Sequence, residues 1–203
     1  MPKGSGIEVR PVTPDRWDDL AALFGIRGGY GHCWCMWWRV TSAEFEGGIR
    51  ERGRGNRRRM RTLVRDGAEP GLLAYRDGRP VGWVSVAPRD QFGRIERSRV
   101  LGPVDDRPVW SIVCFFIGRA HRASGVGTAL LEAAVRHAAD RGATEVEAYP
   151  VDPAARVYSN ADAYTGLLPM FLRAGFREVE RRSAARPIVR KRIRRRARRA
   201  RSG

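Results

Sequence analysis

The chain has 203 residues, 42% of them apolar, three cysteines and a formal net charge of +17. This length is typical of one domain, and no stretch approaches the roughly 20 apolar residues that a membrane-spanning helix needs. The N-terminal segment lacks the apolar run of a secretory signal, and the cysteines show no disulfide framework. The sequence therefore predicts a reduced, cytoplasmic protein that does not act at a membrane.

The positive charge is concentrated near the C-terminus. Of the 39 Lys and Arg residues, 12 lie after Glu180, where no acid occurs, and residues 1–180 carry 27 basic against 22 acidic residues, a net +5. Beyond Arg192 the sequence is almost pure Arg and Ala, which is typical of a solvated, low-complexity tail. We predict a domain over residues 1–192 and an Arg-rich, disordered tail over residues 193–203. Nucleic-acid binding through this tail is an alternative that is not favoured, because no aromatic residues are interleaved for base stacking.

The first third of the chain predicts one strand followed by helices. The apolar residues at positions 7, 9 and 12 predict a first strand. Thr13 and Pro14 then fit the N-cap and first position of a helix that ends at Gly25. A capping-box pattern at Thr41–Glu44 and a basic stretch from Asn56 predict two further helical segments.

A glycine-rich loop between these helices leads into an apolar segment with a Cys-x-Cys pattern at Cys33 and Cys35, next to His32. A structural zinc site needs a second ligand pair, which the sequence lacks, so we expect no metal here. Simple alternation predicts that both cysteine side chains lie on one face of a strand, in packing contacts.

The remaining elements follow the pattern of an α/β domain. Two apolar runs flank Asp77–Gly78, a dipeptide typical of a tight hairpin turn, and a polar loop over residues 88–108 precedes an apolar strand over residues 109–117. That strand contains Cys114, which we expect to be inert. A helix from Gly125 to Arg141, a strand over residues 144–149, a short helix from Leu167 and two final strands complete the order βααββ–βαβαββ.

The turn between the apolar strand and the long helix is the clearest sign of chemistry. Gly125 and Gly127 stand at the helix start, where unpaired backbone amides and the helix dipole favour an anion and the missing side chains let a phosphate approach. We therefore expect a phosphorylated small molecule as ligand. A P-loop is excluded because no Lys precedes Thr128, and a dinucleotide fingerprint is disfavoured because Leu130 replaces its third small residue.

The pattern Arg-x-x-Gly-x-Gly at Arg122–Gly127 fits a third kind of phosphate site. With the preceding hairpin and the late Gly175–Phe176, the sequence resembles the GNAT superfamily of N-acetyltransferases, in its small bacterial form, from the first strand to about Arg192. The resemblance implies an α/β fold with a mixed, mostly antiparallel central sheet, splayed middle strands and helices on both faces. It also implies direct transfer of an acetyl group from acetyl-CoA to a primary amine of a small molecule or peptide, without a metal, by a monomer or homodimer.

The resemblance assigns the acetyl-CoA contacts to two segments. The backbone of the first would run beside the pantetheine arm like an added strand, and the backbone amides of the second would hold the pyrophosphate. The first segment comprises Phe115, Phe116 and Ile117, and the second comprises Arg122, Ala123, Ser124, Gly125, Val126, Gly127 and Thr128. The early tryptophans would either fill the core or form a wall of the acceptor pocket.

The catalytic groups are less clear from the resemblance. The reaction needs a neutral amine, a donor for the oxyanion and a proton for the CoA thiolate. Phe171 replaces the Tyr that usually supplies that proton, so Tyr164, Tyr158 or a water molecule remain as substitutes. Glu147 matches an acidic position that some members use to deprotonate the amine through water. An acyl-CoA-binding pseudoenzyme stays open as an alternative, because Phe171 has no proton to donate.

Overall fold

The computed structural model describes residues 6–155, 158–159 and 162–193. The strands are β1 (Glu8–Pro11), β2 (Gly71–Arg76), β3 (Arg79–Pro88), β4 (Trp110–Ile117), β5 (Glu145–Ala148), β6 (Arg177–Glu180) and β7 (Ile188–Arg192). The helices are α1 (Trp17–Phe24), α2 (Ser42–Arg50), α3 (Arg54–Arg65), α4 (Gly93–Glu96), α5 (Val126–Asp140) and α6 (Leu168–Arg173). No helix within the described residues is long and apolar enough to cross a bilayer.

The strands form one mixed sheet in the order β1-β2-β3-β4-β5-β7-β6. Neighbours pair in antiparallel fashion except β4 and β5, which are parallel. A parallel connection needs a crossover, and α5 supplies it between β4 and β5. The predicted α/β fold with a mixed, mostly antiparallel sheet is confirmed.

The two middle strands separate after a short paired region. Only residues 110–112 of β4 pair with β5 in the described structure. On the other side of β4, Ser85 pairs with Cys114 and Val86 with Ile112, so Val113 is the extra residue of a β-bulge. A bulge bends its strand and increases the local twist, and this bend lies where the pairing with β5 stops. The far half of β4 therefore has a free edge toward β5, which is the splay that the resemblance implied.

Helices cover both faces of the sheet. Leu130 of α5 and Phe171 of α6 lie in the cluster on one face, and Trp83 of β3 packs with α1 and α3 on the other. Side chains alternate along a strand. Phe115 accordingly packs against Phe171, with ring centroids 6.1 Å apart, whereas Phe116 faces α1 on the opposite side.

Short-range signals in the sequence are reproduced where they were strongest. Asp77 and Gly78 both have positive φ, 50° and 73°, as a tight hairpin turn between β2 and β3 requires. The capping box is present, because the Thr41 side chain accepts from the Glu44 amide and the Glu44 carboxylate accepts from the Thr41 amide. The predicted polar loop over residues 88–108 contains α4, which the sequence reading missed.

The Cys-x-Cys segment is not a strand. His32, Trp34 and Cys35 have φ values of 62°, 47° and 52°, so the backbone runs through consecutive turns. Side chains do not alternate in such a segment, and the prediction that Cys33 and Cys35 share one strand face is wrong. The turns instead direct Cys35 toward β4, where its Sγ lies 3.4 Å from the Sγ of Cys114.

Candidate active site

The turn after β4 presents unpaired backbone amides. Gly125, with φ of 84°, is the N-cap of α5, and Ala123 before it also has positive φ, 55°. The amide of Ala129 makes the bond to the Gly125 carbonyl, so the amides of residues 126–128 precede the first i−4 bond of the helix. These donors lie at the positive end of a 15-residue helix, where an anion is stabilised.

Side chains hold this turn against the end of β4. Arg122 Nε donates to the Ile117 carbonyl at 3.3 Å, and the Ser124 hydroxyl donates to the His121 carbonyl at 2.7 Å. Arg76, at the end of β2, donates to the Ser124 carbonyl at 3.1 Å. The turn is therefore fixed relative to the sheet before any ligand binds.

A cavity of about 550 Å³ lies against the unpaired half of β4. Cys114 and Phe116 line it from one face of the strand, and Phe115 and Ile117 from the other, so the cavity wraps around the free edge. The rest of its lining comes from the glycine loop, the turns that follow it, α2, the turn after β4 and the segment before α6. These residues are Gly28, Gly29, Tyr30, Gly31, Cys33, Cys35, Trp37, Phe45, Arg122, Ala163 and Tyr164. A ligand along this edge would be accessible from both sides of the sheet.

Most of the predicted site residues lie in one region. Those that line the cavity are Phe115, Phe116, Ile117, Arg122 and Tyr164. Residues 123–128 form the turn that continues from β4. Glu147, on the neighbouring strand, does not line the cavity.

Tyr164 lies in a short turn before α6 and presents its side chain to the cavity. Its ring stacks on Trp38, with centroids 6.4 Å apart and planes at 28°, and the Arg186 guanidinium lies 5.7 Å from the ring centre. Burial raises the pKa of Tyr164 to about 12. The hydroxyl is therefore protonated at neutral pH, like that of an exposed tyrosine, and is a weaker acid than one.

Glu147 is fully buried in an ion pair between strands. Tyr149 donates its hydroxyl proton to one carboxylate oxygen at 2.6 Å, and Arg190 Nε donates to the other at 2.7 Å. Arg190 is the cross-strand partner of Glu147 on β7 and also contacts Asp105 at 2.7 Å. A buried carboxylate needs such partners, so these contacts favour a structural role; a base role through water stays a prediction.

Phe171 is part of the core. It is fully buried and packs edge-on against Phe115 and Phe176, with centroids 6.1 Å and 5.2 Å away. No hydroxyl is present at this position, and the aromatic ring fills the space between α6 and the sheet.

The three cysteines are site residues whose proximity the sequence did not reveal. Cys33, Cys35 and Cys114 all line the cavity, although Cys35 and Cys114 are 79 positions apart. Burial raises the pKa of Cys33 to about 12, and the contact with Cys114 together with burial raises that of Cys35 well above its usual range. Both thiols are neutral at physiological pH and are weak nucleophiles.

Comparison with known proteins identifies the class. The profile of the acetyltransferase (GNAT) family matches residues 34–161, which is more than half of the chain. The protein therefore belongs to the GNAT acetyltransferase family, and the match includes the free edge of β4 and the phosphate turn. The sequence matches no curated protein at a significant level.

Solved structures show the same fold at low identity. PaiA N-acetyltransferase from Thermoplasma acidophilum, in complex with coenzyme A, is 14% identical with a TM-score of 0.52, over 93% of this chain and 99% of that one. The GNAT domain of S. lividans PAT is 18% identical, with a TM-score of 0.53 and coverage of 92% and 90%. A Drosophila melanogaster polyamine N-acetyltransferase is 13% identical, with a TM-score of 0.53 and coverage of 93% and 100%.

Proposed function

We propose that this protein transfers an acetyl group from acetyl-CoA directly to a primary amine. The observation that carries the proposal is the continuous surface formed by the free edge of β4 and the unpaired amides at the start of α5. A thioester with a long amide-containing arm and a pyrophosphate matches both parts of that surface. Family membership and the coenzyme A complex of a protein with the same fold support the same ligand.

In this proposal, two segments bind acetyl-CoA. Within the described structure, residues 115–117 have no strand partner on the side of β5, so this edge of β4 can pair with the pantetheine amides, as an added strand would. The amides of residues 123–128 and the Arg122 guanidinium, the one charge at this end of the described cavity lining, face the pyrophosphate. The bulge at Val113 keeps β5 away from the thioester.

The transfer step forms a C–N bond and breaks the C–S bond. An apolar cavity lowers the pKa of an ammonium group, which favours the neutral amine that attacks the carbonyl. A backbone amide on the free edge of β4 stabilises the oxyanion, and Tyr164 donates its proton to the departing thiolate and then regains a proton from water. The proton of the amine passes to water, and Glu147 would accept it only through a chain of water molecules.

The phosphate turn is tested with two substitutions at Gly127. A Cβ there would lie 3.4 Å from Ile117 Cδ1 and 3.5 Å from Met170 Sδ, which is ordinary contact, so Gly127→Ala should fold and bind acetyl-CoA. Gly127→Glu places a negative charge against the pyrophosphate, and we expect affinity to fall roughly 10²- to 10³-fold. Calorimetric titration with acetyl-CoA measures both variants, and circular dichroism checks the fold. Equal affinity of the Glu and Ala variants for acetyl-CoA would show that the pyrophosphate does not bind at this turn.

A second function is favoured by one observation. Phe171 is buried and lacks a hydroxyl, which is compatible with a protein that binds acyl-CoA without turnover. Release of free CoA with a panel of amines separates the two functions. Tight binding of acetyl-CoA without release for any amine that binds would favour the pseudoenzyme.

A further inference from the structure

The cavity has an unusual charge character for a site that receives an amine. Among the described residues that line it, Arg122 is the one charged side chain, and neither Asp nor Glu occurs. The aromatic residues of the lining are Tyr30, Trp37, Phe45, Phe115, Phe116 and Tyr164. A cationic ligand would therefore lose its hydration and gain contacts with aromatic rings, but no counter-charge from the described lining.

The wall away from the phosphate turn is aromatic and is backed by a positive charge. Trp37 and Phe45 pack edge-on with centroids 5.0 Å apart. Behind them, the Arg94 guanidinium lies 3.8 Å from the centre of the Trp37 ring. Trp37 presents an apolar surface to the cavity, and one face of its ring is already occupied by the Arg94 guanidinium, which leaves less of the ring for a second cation.

The glycine loop adds apolar surface at the mouth of the cavity. Gly28 packs so closely under Trp34 that a Cβ would lie 2.3 Å from the indole nitrogen, which fixes the loop in place. The loop exposes Tyr30 and Ile26, which are 71% and 94% accessible. Tyr30 lines the cavity, whereas Ile26 does not.

We infer that the acceptor is a small arylalkylamine, with one amine on a short alkyl chain that carries an aromatic ring. This inference rests on the proposed acetyl transfer. The ring packs between Tyr30, Trp37 and Phe45, and the single amine points along the cavity to the free edge of β4. Once the amine is neutral, no charge remains in the apolar part of the cavity. A polyamine would leave at least one ammonium group there.

Steady-state release of CoA from the full chain tests the inference. The acceptors are 2-phenylethylamine, butylamine, 1,4-diaminobutane and a tripeptide amide with N-terminal Phe. Butylamine removes the ring, and 1,4-diaminobutane replaces it with a second ammonium group. We expect kcat/KM for 2-phenylethylamine to exceed that for 1,4-diaminobutane at least 100-fold, with butylamine between them. Equal or better use of the diamine, or preference for the peptide, would overturn the inference.

A matched pair of substitutions in the glycine loop tests the role of the mouth. Tyr30→Glu adds a carboxylate to the cavity lining, and Ile26→Glu adds the same charge to the same loop outside it. We expect Tyr30→Glu to raise the ratio of diamine to phenylethylamine kcat/KM at least tenfold and Ile26→Glu to leave it unchanged. The same ratio in both variants would contradict the assignment of Tyr30 to the acceptor site.

Binding measurements separate failure of this inference from failure of the proposed function. If wild-type protein does not bind acetyl-CoA in calorimetry, the proposed function fails and the acceptor assignment fails with it. If acetyl-CoA binds, thermal shifts of the CoA complex with 2-phenylethylamine and 1,4-diaminobutane decide the acceptor class even without turnover. A larger shift with the diamine, or none with phenylethylamine, overturns the arylalkylamine assignment alone.

Discussion

Phe171 and Tyr164, two aromatic residues near the end of the domain, differ in burial and in access to the cavity. Phe171 is fully buried between α6 and the sheet and serves packing. Tyr164, seven positions earlier, lies at the cavity with its ring held by Trp38 and Arg186. Of these two residues, Tyr164 is therefore the one that we propose as the donor to the leaving thiolate.

Tyr164→Phe should lower kcat roughly 10²- to 10⁴-fold if this hydroxyl protonates the thiolate, while acetyl-CoA affinity changes little. Tyr158→Phe is the matched control and should retain most of the rate. Because burial raises the pKa of Tyr164 to about 12, the wild-type rate should not fall between pH 6 and 10 through loss of this proton. The pH–rate profile of kcat for both variants is the measurement. If Tyr164→Phe keeps the wild-type rate over that range, water protonates the CoA thiolate. A thiolate can leave in this way because the pKa of a free thiol is only about 8.5.

At the scale of elements, the site depends on how β4 ends and α5 begins. The bulge at Val113 separates β4 from β5, and the turn over residues 122–125 then aims the helix amides at the same edge. Glu147 and Arg190 connect β5 to β7 on the far side of the gap. The opening thus lies between two pairs of strands: β3 with β4, which contains the bulge, and β5 with β7.

Gly125 and Gly142 at the two ends of α5 allow a controlled test of the helix start. Both have φ of 84° and no heavy atom within 4 Å of an added Cβ. Alanine in this left-handed conformation costs about 1–2 kcal/mol, so both variants should lose similar unfolding free energy in denaturant titrations. Only Gly125→Ala places a methyl group beside the phosphate amides, and we expect its acetyl-CoA affinity to fall at least about tenfold. Equal affinities in the two variants would contradict a phosphate site at the start of α5.

At the scale of the whole molecule, the compact part of the chain extends one residue past the predicted boundary at Arg192. The Ile193 amide donates to the Thr144 carbonyl at 2.8 Å, and its side chain packs against the core cluster that contains α5. Of the predicted disordered tail over residues 193–203, residues 194–203 lie outside the described residues. Its role therefore stays a prediction.

Truncation after Ile193 removes six Arg residues and keeps the backbone bond from Ile193 to Thr144. We expect unchanged melting temperature and acetyl-CoA affinity, because the proposed acetyl-CoA segments are residues 115–117 and 122–128. If the tail binds nucleic acid, truncation should lower that affinity and flatten its salt dependence, since up to six phosphate contacts are lost. Calorimetry with acetyl-CoA and DNA titrations at several salt concentrations measure the two effects. Loss of acetyl-CoA binding would show that the tail belongs to the domain.

The sequence by itself determined the features that depend on a few adjacent residues. Asp77–Gly78 specifies a tight turn, Thr41–Glu44 caps a helix, and Arg122–Gly127 forms the turn that begins α5. Each conformation is encoded locally in glycines or short hydrogen-bonding side chains. Their order along the chain indicated the α/β fold class, and the resemblance to the GNAT superfamily assigned the predicted acetyl-CoA segments. These signals need no knowledge of distant residues.

Only the tertiary structure decided which side chains meet. Cys35 contacts Cys114 across 79 positions, and Glu147 is neutralised by Arg190 on a strand that comes 43 positions later. Both contacts arise because sheet pairing and turns with positive φ bring remote segments together. The aromatic lining of the cavity has the same origin, since its described members come from the glycine loop, the turns before α2, α2 itself, β4 and the segment before α6. Pattern and spacing encode the backbone of this site, whereas long-range packing sets its chemistry.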